Sequence, residues 1–97
     1  MTMDPEATKP EPHLLEFYGK ECAHCAAMAL LVARLEEGEG LEIQKHEVWH
    51  SEQNATLMRE YDQGRCGGVP FFYNRQTGKW LCGVVNYEKL KEWALGK

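Results

Sequence analysis

Two cysteines in Glu21-Cys22-Ala23-His24-Cys25 are the residues whose type and spacing point most directly to chemistry. They stand where an apolar run, Leu14-Leu15-Glu16-Phe17-Tyr18, gives way to a helical pattern with Met28, Leu31, Val32 and Leu35 on one face. A helix N-terminus has unpaired N–H groups and the positive end of the helix dipole. Both favour a thiolate, the reactive form of cysteine. The spacing brings the two sulfurs close enough to bridge, so the pair reads as a dithiol that cycles to a disulfide. Cys22 precedes the helix, is expected to be the more exposed sulfur, and is assigned as nucleophile. Cys25, inside the first turn, is the resolving thiol. The competing readings are a structural zinc site and an inert pair, and zinc ordinarily requires four ligands.

Other residues are candidates around this pair. His24 is placed to stabilise the Cys22 thiolate with its ring or charge; otherwise it is a solvent-facing residue. Glu21 carries a negative charge beside Cys22 and opposes the thiolate. Glu16 is a carboxylate in an otherwise apolar strand, where burial is costly unless it is neutralised or hydrogen-bonded. Its alternative is to snorkel to the end of the sheet. Cys66 lies in a glycine-rich loop, Gly64 to Val69, and is a candidate third redox thiol or metal ligand, or simply a half-buried loop residue. Cys82 reads as core packing. His46 and His50 are too far apart on a strand to share a metal, and neither receives a role. Tyr73, Trp80 and Trp93 read as packing residues.

The elements that must position these groups follow from periodicity and turn signals. Residues 1–12 hold Pro5, Pro10 and Pro12 among charged and small residues and read as a disordered leader, with residues 13–97 as one domain. Leu14–Tyr18 reads as a central strand covered on both faces. A helix is expected from Cys22 to Glu37, ended at Gly38-Glu39-Gly40. Its first half, with Ala26, Ala27, Ala29, Leu30 and Leu31, is expected to be well buried. A second strand spans Leu41–Trp49, with a parity shift that implies a bulge or a change of cover. Ser51 caps a second helix running to Asp62. Pro70–Tyr73 and Lys79–Cys82 form a hairpin, and Asn86 caps the last helix. The order is β-α-β-α-β-β-α: an α/β fold with a mixed four-stranded sheet and helices on both faces.

Composition narrows the function classes. The 97 residues carry a net charge of −4 with no basic stripe, which argues against nucleic acid as a partner. No apolar stretch approaches the roughly 20 residues of a membrane span. No secretory signal is visible, so a cytoplasmic location is expected, or an organelle if the chain is already processed. In that setting the four cysteines point to catalytic or metal-binding thiols rather than a disulfide framework.

Cys-x-x-Cys after the first strand, Gly67-Gly68-Val69-Pro70 before the third, and Gly83 after the last resemble the thioredoxin superfamily over nearly the whole chain beyond Pro12. The resemblance implies a three-layer α/β/α thioredoxin-like fold with a cis Pro70 facing the dithiol, and backbone groups at Val69 where a substrate strand can pair. It also implies that Glu16, where many thioredoxins carry a buried aspartate, is the base for Cys25. Thioredoxins usually have Trp at the Glu21 position and Gly-Pro at Ala23-His24. A histidine before the second cysteine is similar to the bacterial oxidising members, which also carry proline at the Ala23 position and an inserted helical domain that this chain lacks.

The resulting expectation is a small thiol–disulfide oxidoreductase, monomeric and without a cofactor. Its partners are protein disulfide substrates and a reducing or oxidising protein. The rival is a metal or iron–sulfur module held by Cys22, Cys25 and Cys66. A scaffold that only binds partners is disfavoured by the intact Cys22 and Cys25.

Overall fold

The computed structural model describes residues 12–97. The expected leader, apart from Pro12, lies outside the described residues. His13 leads into β1 (Leu14–Tyr18), and its carbonyl accepts the Arg75 N–H at 2.8 Å. The order that follows is α1 (Ala23–Glu39), β2 (Ile43–Glu47), α2 (Glu52–Asp62), β3 (Phe71–Asn74), β4 (Trp80–Cys82) and α3 (Tyr87–Leu95). The strands lie in the order β2-β1-β3-β4. β1 pairs parallel with β2 and antiparallel with β3, and β3 pairs antiparallel with β4. The chain therefore takes the expected α/β architecture, with one mixed four-stranded sheet between helical layers.

β1 is central, which explains its nearly unbroken apolar run. Leu14 packs with Met28, Val32, Leu35, Ile43, Phe72 and Leu90 in the core under α1 and α3. Leu15 and Phe17 pack on the opposite face with Met58 and Phe71, under α2. Strand alternation therefore turns Glu16 toward the α1 side. That choice of face brings the one carboxylate of β1 to the underside of the Cys22–Cys25 turn.

The expectation of a well-buried first half of α1 is not met. Cys25, Met28, Val32 and Leu35 are buried, whereas Ala26, Ala27 and Ala29 are exposed and Leu30 is 76% exposed. The helix packs by one stripe onto the sheet, and among the described residues no further layer covers its outer side. It also continues beyond Glu37 through Gly38 to Glu39. The left-handed cap is at Gly40 (φ 64°), whose N–H donates to the Glu36 carbonyl.

β2 is shorter than the expected Leu41–Trp49. Its parity shift is a change of cover, because the register from Leu14↔Ile43 to Tyr18↔Glu47 is unbroken. Ile43 enters the core under α1, while His46 stacks on Phe17 on the other face at 5.2 Å between centroids. Ser51 and Asn86 cap α2 and α3, each accepting a backbone N–H three residues on.

Candidate active site

Cys22 is the N-cap residue of α1. Its backbone is extended (φ −84°, ψ 115°), and its Sγ accepts the Cys25 N–H at 3.1 Å. This is the acceptor position that serine or aspartate commonly fills. That N–H and the positive end of the helix dipole both face this sulfur. Cys22 is half-buried and Cys25 is buried. Burial pushes the Cys25 thiol up to about 12, and its hydrogen bond with Cys22 acts in the same direction. The two sulfurs are thus unequal: one accessible and stabilised by a backbone N–H, the other enclosed and holding its proton.

Glu16 is 3% exposed, and its carboxyl has no hydrogen-bond partner among the described residues. Burial raises its pKa to about 7; Lys45 pulls it down and Glu36 pushes it up. Lys45 is its register partner on β2, but the Lys45 ammonium donates to Glu36 Oε2 at 2.9 Å and to the Ile43 carbonyl at 3.2 Å. The lysine charge is therefore shared, and Glu16 remains protonatable near neutrality. Glu16, Lys45, Cys22, Cys25 and Ala29 line one cleft of about 310 Å³. The buried acid thus opens toward the dithiol, and the snorkelling alternative does not describe its position.

The turn ahead of Cys22 is held by residues the sequence reading left without a role. The Glu47 carboxylate accepts N–H groups from Lys20 (2.9 Å), Trp49 (3.2 Å) and His50 (2.8 Å), joining the two loops that follow β1 and β2. The indole of Trp49 lies against Gly19, where a Cβ would overlap the ring. His50 Nε2 meets both Glu21 oxygens at 2.7 and 2.8 Å. Glu21 therefore carries a counter-charge, and its hydrogen bond raises the His50 pKa. His24 is exposed and has no hydrogen-bond partner among the described residues.

The Val69–Pro70 peptide bond is cis. Val69 lies just beyond the last β1–β3 pair, Phe17↔Phe71, and lines a groove of about 510 Å³ with Trp49, Met58, Asp62, Gly67 and Gly68. The buried Asp62 carboxylate accepts the Cys66 N–H at 2.6 Å and the Gly67 N–H at 2.8 Å, anchoring the start of this loop.

Two cysteine expectations require correction. Cys66 is bonded to Cys82 in a disulfide with a Cα–Cα distance of 5.5 Å. Cys66 is therefore not a free third thiol beside Cys22, and its sulfur is not available as a metal ligand. Cys82 is exposed rather than core packing. The four cysteines divide into one free pair and one bonded pair, so the expectation of purely catalytic or metal-binding thiols fails. The pairing follows from the hairpin, since β3–β4 register sets Cys82 opposite Phe71, five residues beyond Cys66. Among the described residues, no group of three or more His, Cys, Asp or Glu side chains is placed to hold a metal ion. No described helix is long and apolar enough to cross a membrane.

Neither a protein-family model nor a curated protein matches the sequence. Among solved structures the chain is similar to the crystal structure of a glutaredoxin from Archaeoglobus fulgidus, at 21% sequence identity. The match covers 86% of each chain with a TM-score of 0.64. The fold is thioredoxin-like.

Proposed function

We propose that this chain is a thiol–disulfide oxidoreductase that exchanges disulfides with protein substrates through Cys22 and Cys25. The observation that carries the proposal is the Cys22 sulfur on the Cys25 N–H at the start of α1, with Cys25 and Glu16 buried beneath it. In the reducing direction the Cys22 thiolate attacks a substrate disulfide. A bond forms between Cys22 Sγ and one substrate sulfur, the substrate S–S bond breaks, and the other sulfur leaves as a thiolate. Cys22 is then uncharged, which removes its repulsion on an anion at Cys25. Glu16, with a pKa of about 7, is partly ionised near neutral pH and accepts the Cys25 proton across the shared cleft. Cys25 attacks Cys22 Sγ, the mixed disulfide breaks, and the substrate leaves reduced. The oxidising direction runs the same steps backwards.

Val69 supplies the backbone edge for the substrate strand, and Pro70 ends that edge facing the dithiol. His24, exposed next to Cys25, acts on the Cys22 thiolate through its ring. The chemistry needs no cofactor; it needs a second redox protein to restore the starting state. The metal-module reading is weaker because the Cys66 sulfur it requires is bonded to Cys82.

Reduction of insulin by the wild type, Cys22→Ser and Cys25→Ser proteins tests this reading. Cys22→Ser should be inactive, while Cys25→Ser should accumulate a covalent substrate adduct on Cys22, visible by mass spectrometry. Turnover by Cys22→Ser, or an adduct on another cysteine, overturns it.

A further inference from the structure

The Cys66–Cys82 disulfide has no part in the exchange just described, yet it lies against the segment assigned to substrate. Its position in the fold says what it constrains. The β3–β4 ladder already pairs Phe71 with Cys82, and the Gly83 N–H already donates to the Pro70 carbonyl at 2.8 Å. The hairpin is therefore closed without the covalent link. What the link adds is a tether between the end of β4 and Cys66, enclosing only Gly67, Gly68, Val69 and Pro70 beyond the ladder. Gly67 adopts a positive φ of 71°, and Gly68 is exposed, so this short segment has little of its own to hold it. Asp62 fixes its first two N–H groups, but no such bond reaches Gly68 or Val69.

We propose that Cys66–Cys82 is a second site of thiol–disulfide exchange, taking a dithiol as its reductant, and that its redox state sets the order of the Gly67–Val69 edge. The exposed position of Cys82 makes its sulfur the point of attack. A donor thiolate bonds to Cys82 Sγ, the Cys66–Cys82 bond breaks, and Cys66 leaves as a thiolate. The donor's second thiol then attacks its own sulfur held on Cys82, forming the donor disulfide and releasing Cys82. The donor loses two electrons, the pair gains them, and the donor's two thiol protons end on Cys66 and Cys82. With the tether open, Asp62 and the hairpin keep the fold, while Gly68 and Val69 become free to move.

The part of this inference that concerns substrate rests on the function proposed above; the exchange and the ordering do not. The experiment equilibrates the full chain in buffers of reduced and oxidised dithiothreitol, then alkylates and digests it. Labelling of each cysteine is read by mass spectrometry, and backbone amide relaxation is read by NMR on matched, undigested samples. Cys66 and Cys82 should become labelled together while α1 and β1 stay rigid, and the order parameters at Gly68 and Val69 should fall from about 0.85 to below about 0.6. The Cys66→Ala/Cys82→Ala double variant should show those low order parameters in every buffer. If the pair is labelled only when the whole chain unfolds, or if its reduction leaves the order parameters at Gly68 and Val69 unchanged, the inference is overturned. An inert Cys22 in the same samples would refute the proposed activity and leave both of these readouts standing. Where insulin is reduced, opening the pair should raise KM several-fold with little change in kcat.

Discussion

The two cysteine pairs are built from the same atoms and placed in opposite circumstances. Cys22 and Cys25 sit at the start of a 17-residue helix, with the Cys25 N–H aimed at one sulfur and a buried acid under the other. Cys66 and Cys82 join a glycine-rich loop to the end of a strand, and the carboxylate beside them, Asp62, is already committed to two backbone N–H groups. The first pair has what the proposed exchange calls for: a sulfur on a backbone N–H, a buried carboxyl and a shared cleft. The second has exposure at Cys82, and the carboxylate beside its loop is already taken. Reactivity in this fold comes from where the chain places a thiol, and cysteine content alone does not reveal it.

The widest separation between the pairs should appear in turnover. Cys22→Ser should lower disulfide exchange on the order of a thousandfold or more, because the nucleophile is lost. Cys66→Ala/Cys82→Ala should cost only several-fold, in KM, in the same insulin assay. Comparable losses from both would erase the distinction.

Glu16 gives the next largest effect, and it is one that the second pair has no means to copy. The folded state holds the Glu16 proton to about pH 7, whereas the unfolded chain releases it near 4.5. The folded state therefore binds more protons in that window. The stability tied to this group is full below pH 4.5 and is lost as pH rises through about 7, a change of about 3 kcal/mol. Glu16→Gln should thus be the more stable protein at pH 8 by up to that amount, with the gap closing toward pH 5 in urea denaturation. Its pH–rate profile should also lose the inflection near 7, with slower release of the mixed disulfide. A constant gap across pH would show that Glu16 does not titrate as described.

Gly19→Ala addresses the turn that holds Cys22 in place. The new methyl group would displace the Trp49 ring, at a cost of about 1–3 kcal/mol. A change in tryptophan emission should accompany slower alkylation of Cys22, with the Cys66–Cys82 bond intact. Unchanged emission would mean the indole is not seated on Gly19.

His24→Ala should be the mildest of the five variants. Loss of the imidazole should lower the reduction potential of the Cys22–Cys25 pair by about 30 mV or less in a glutathione titration. An unaltered potential would make His24 a surface residue, and a shift in the other pair would misplace its influence.

The architecture was legible because it is written in local patterns. A nearly unbroken apolar run marked the central strand, a helical stripe marked the inner face of α1, and turn residues marked the hairpin. The exposed outer face of α1 was not, because alanines are compatible with either side and only the absence of a covering layer decides the matter. The Cys66–Cys82 link depends on the β3–β4 register, which no spacing rule supplies. Reading the cysteines through an expected reducing compartment also turned attention away from a bonded pair. Lys45, Trp49 and His50 reach the site from β2 and the loop after it, more than twenty residues beyond Cys22 in sequence. A signal was present in each case: Lys45 falls opposite Glu16 once β1 and β2 are set parallel, and a small residue at Gly19 leaves room for a large one.

The sulfur assigned as nucleophile is also the group that caps the start of the helix. When Cys22 is a thiolate it closes the first turn of α1; when it is bonded to Cys25 that acceptor is weakened. Folding and redox state are therefore two sides of one thermodynamic cycle. The difference in unfolding free energy between the dithiol and disulfide forms must equal the difference in the free energy of reduction between the folded and unfolded chains. A pair of melting curves thus measures a potential, and helix formation itself becomes a source of oxidising power.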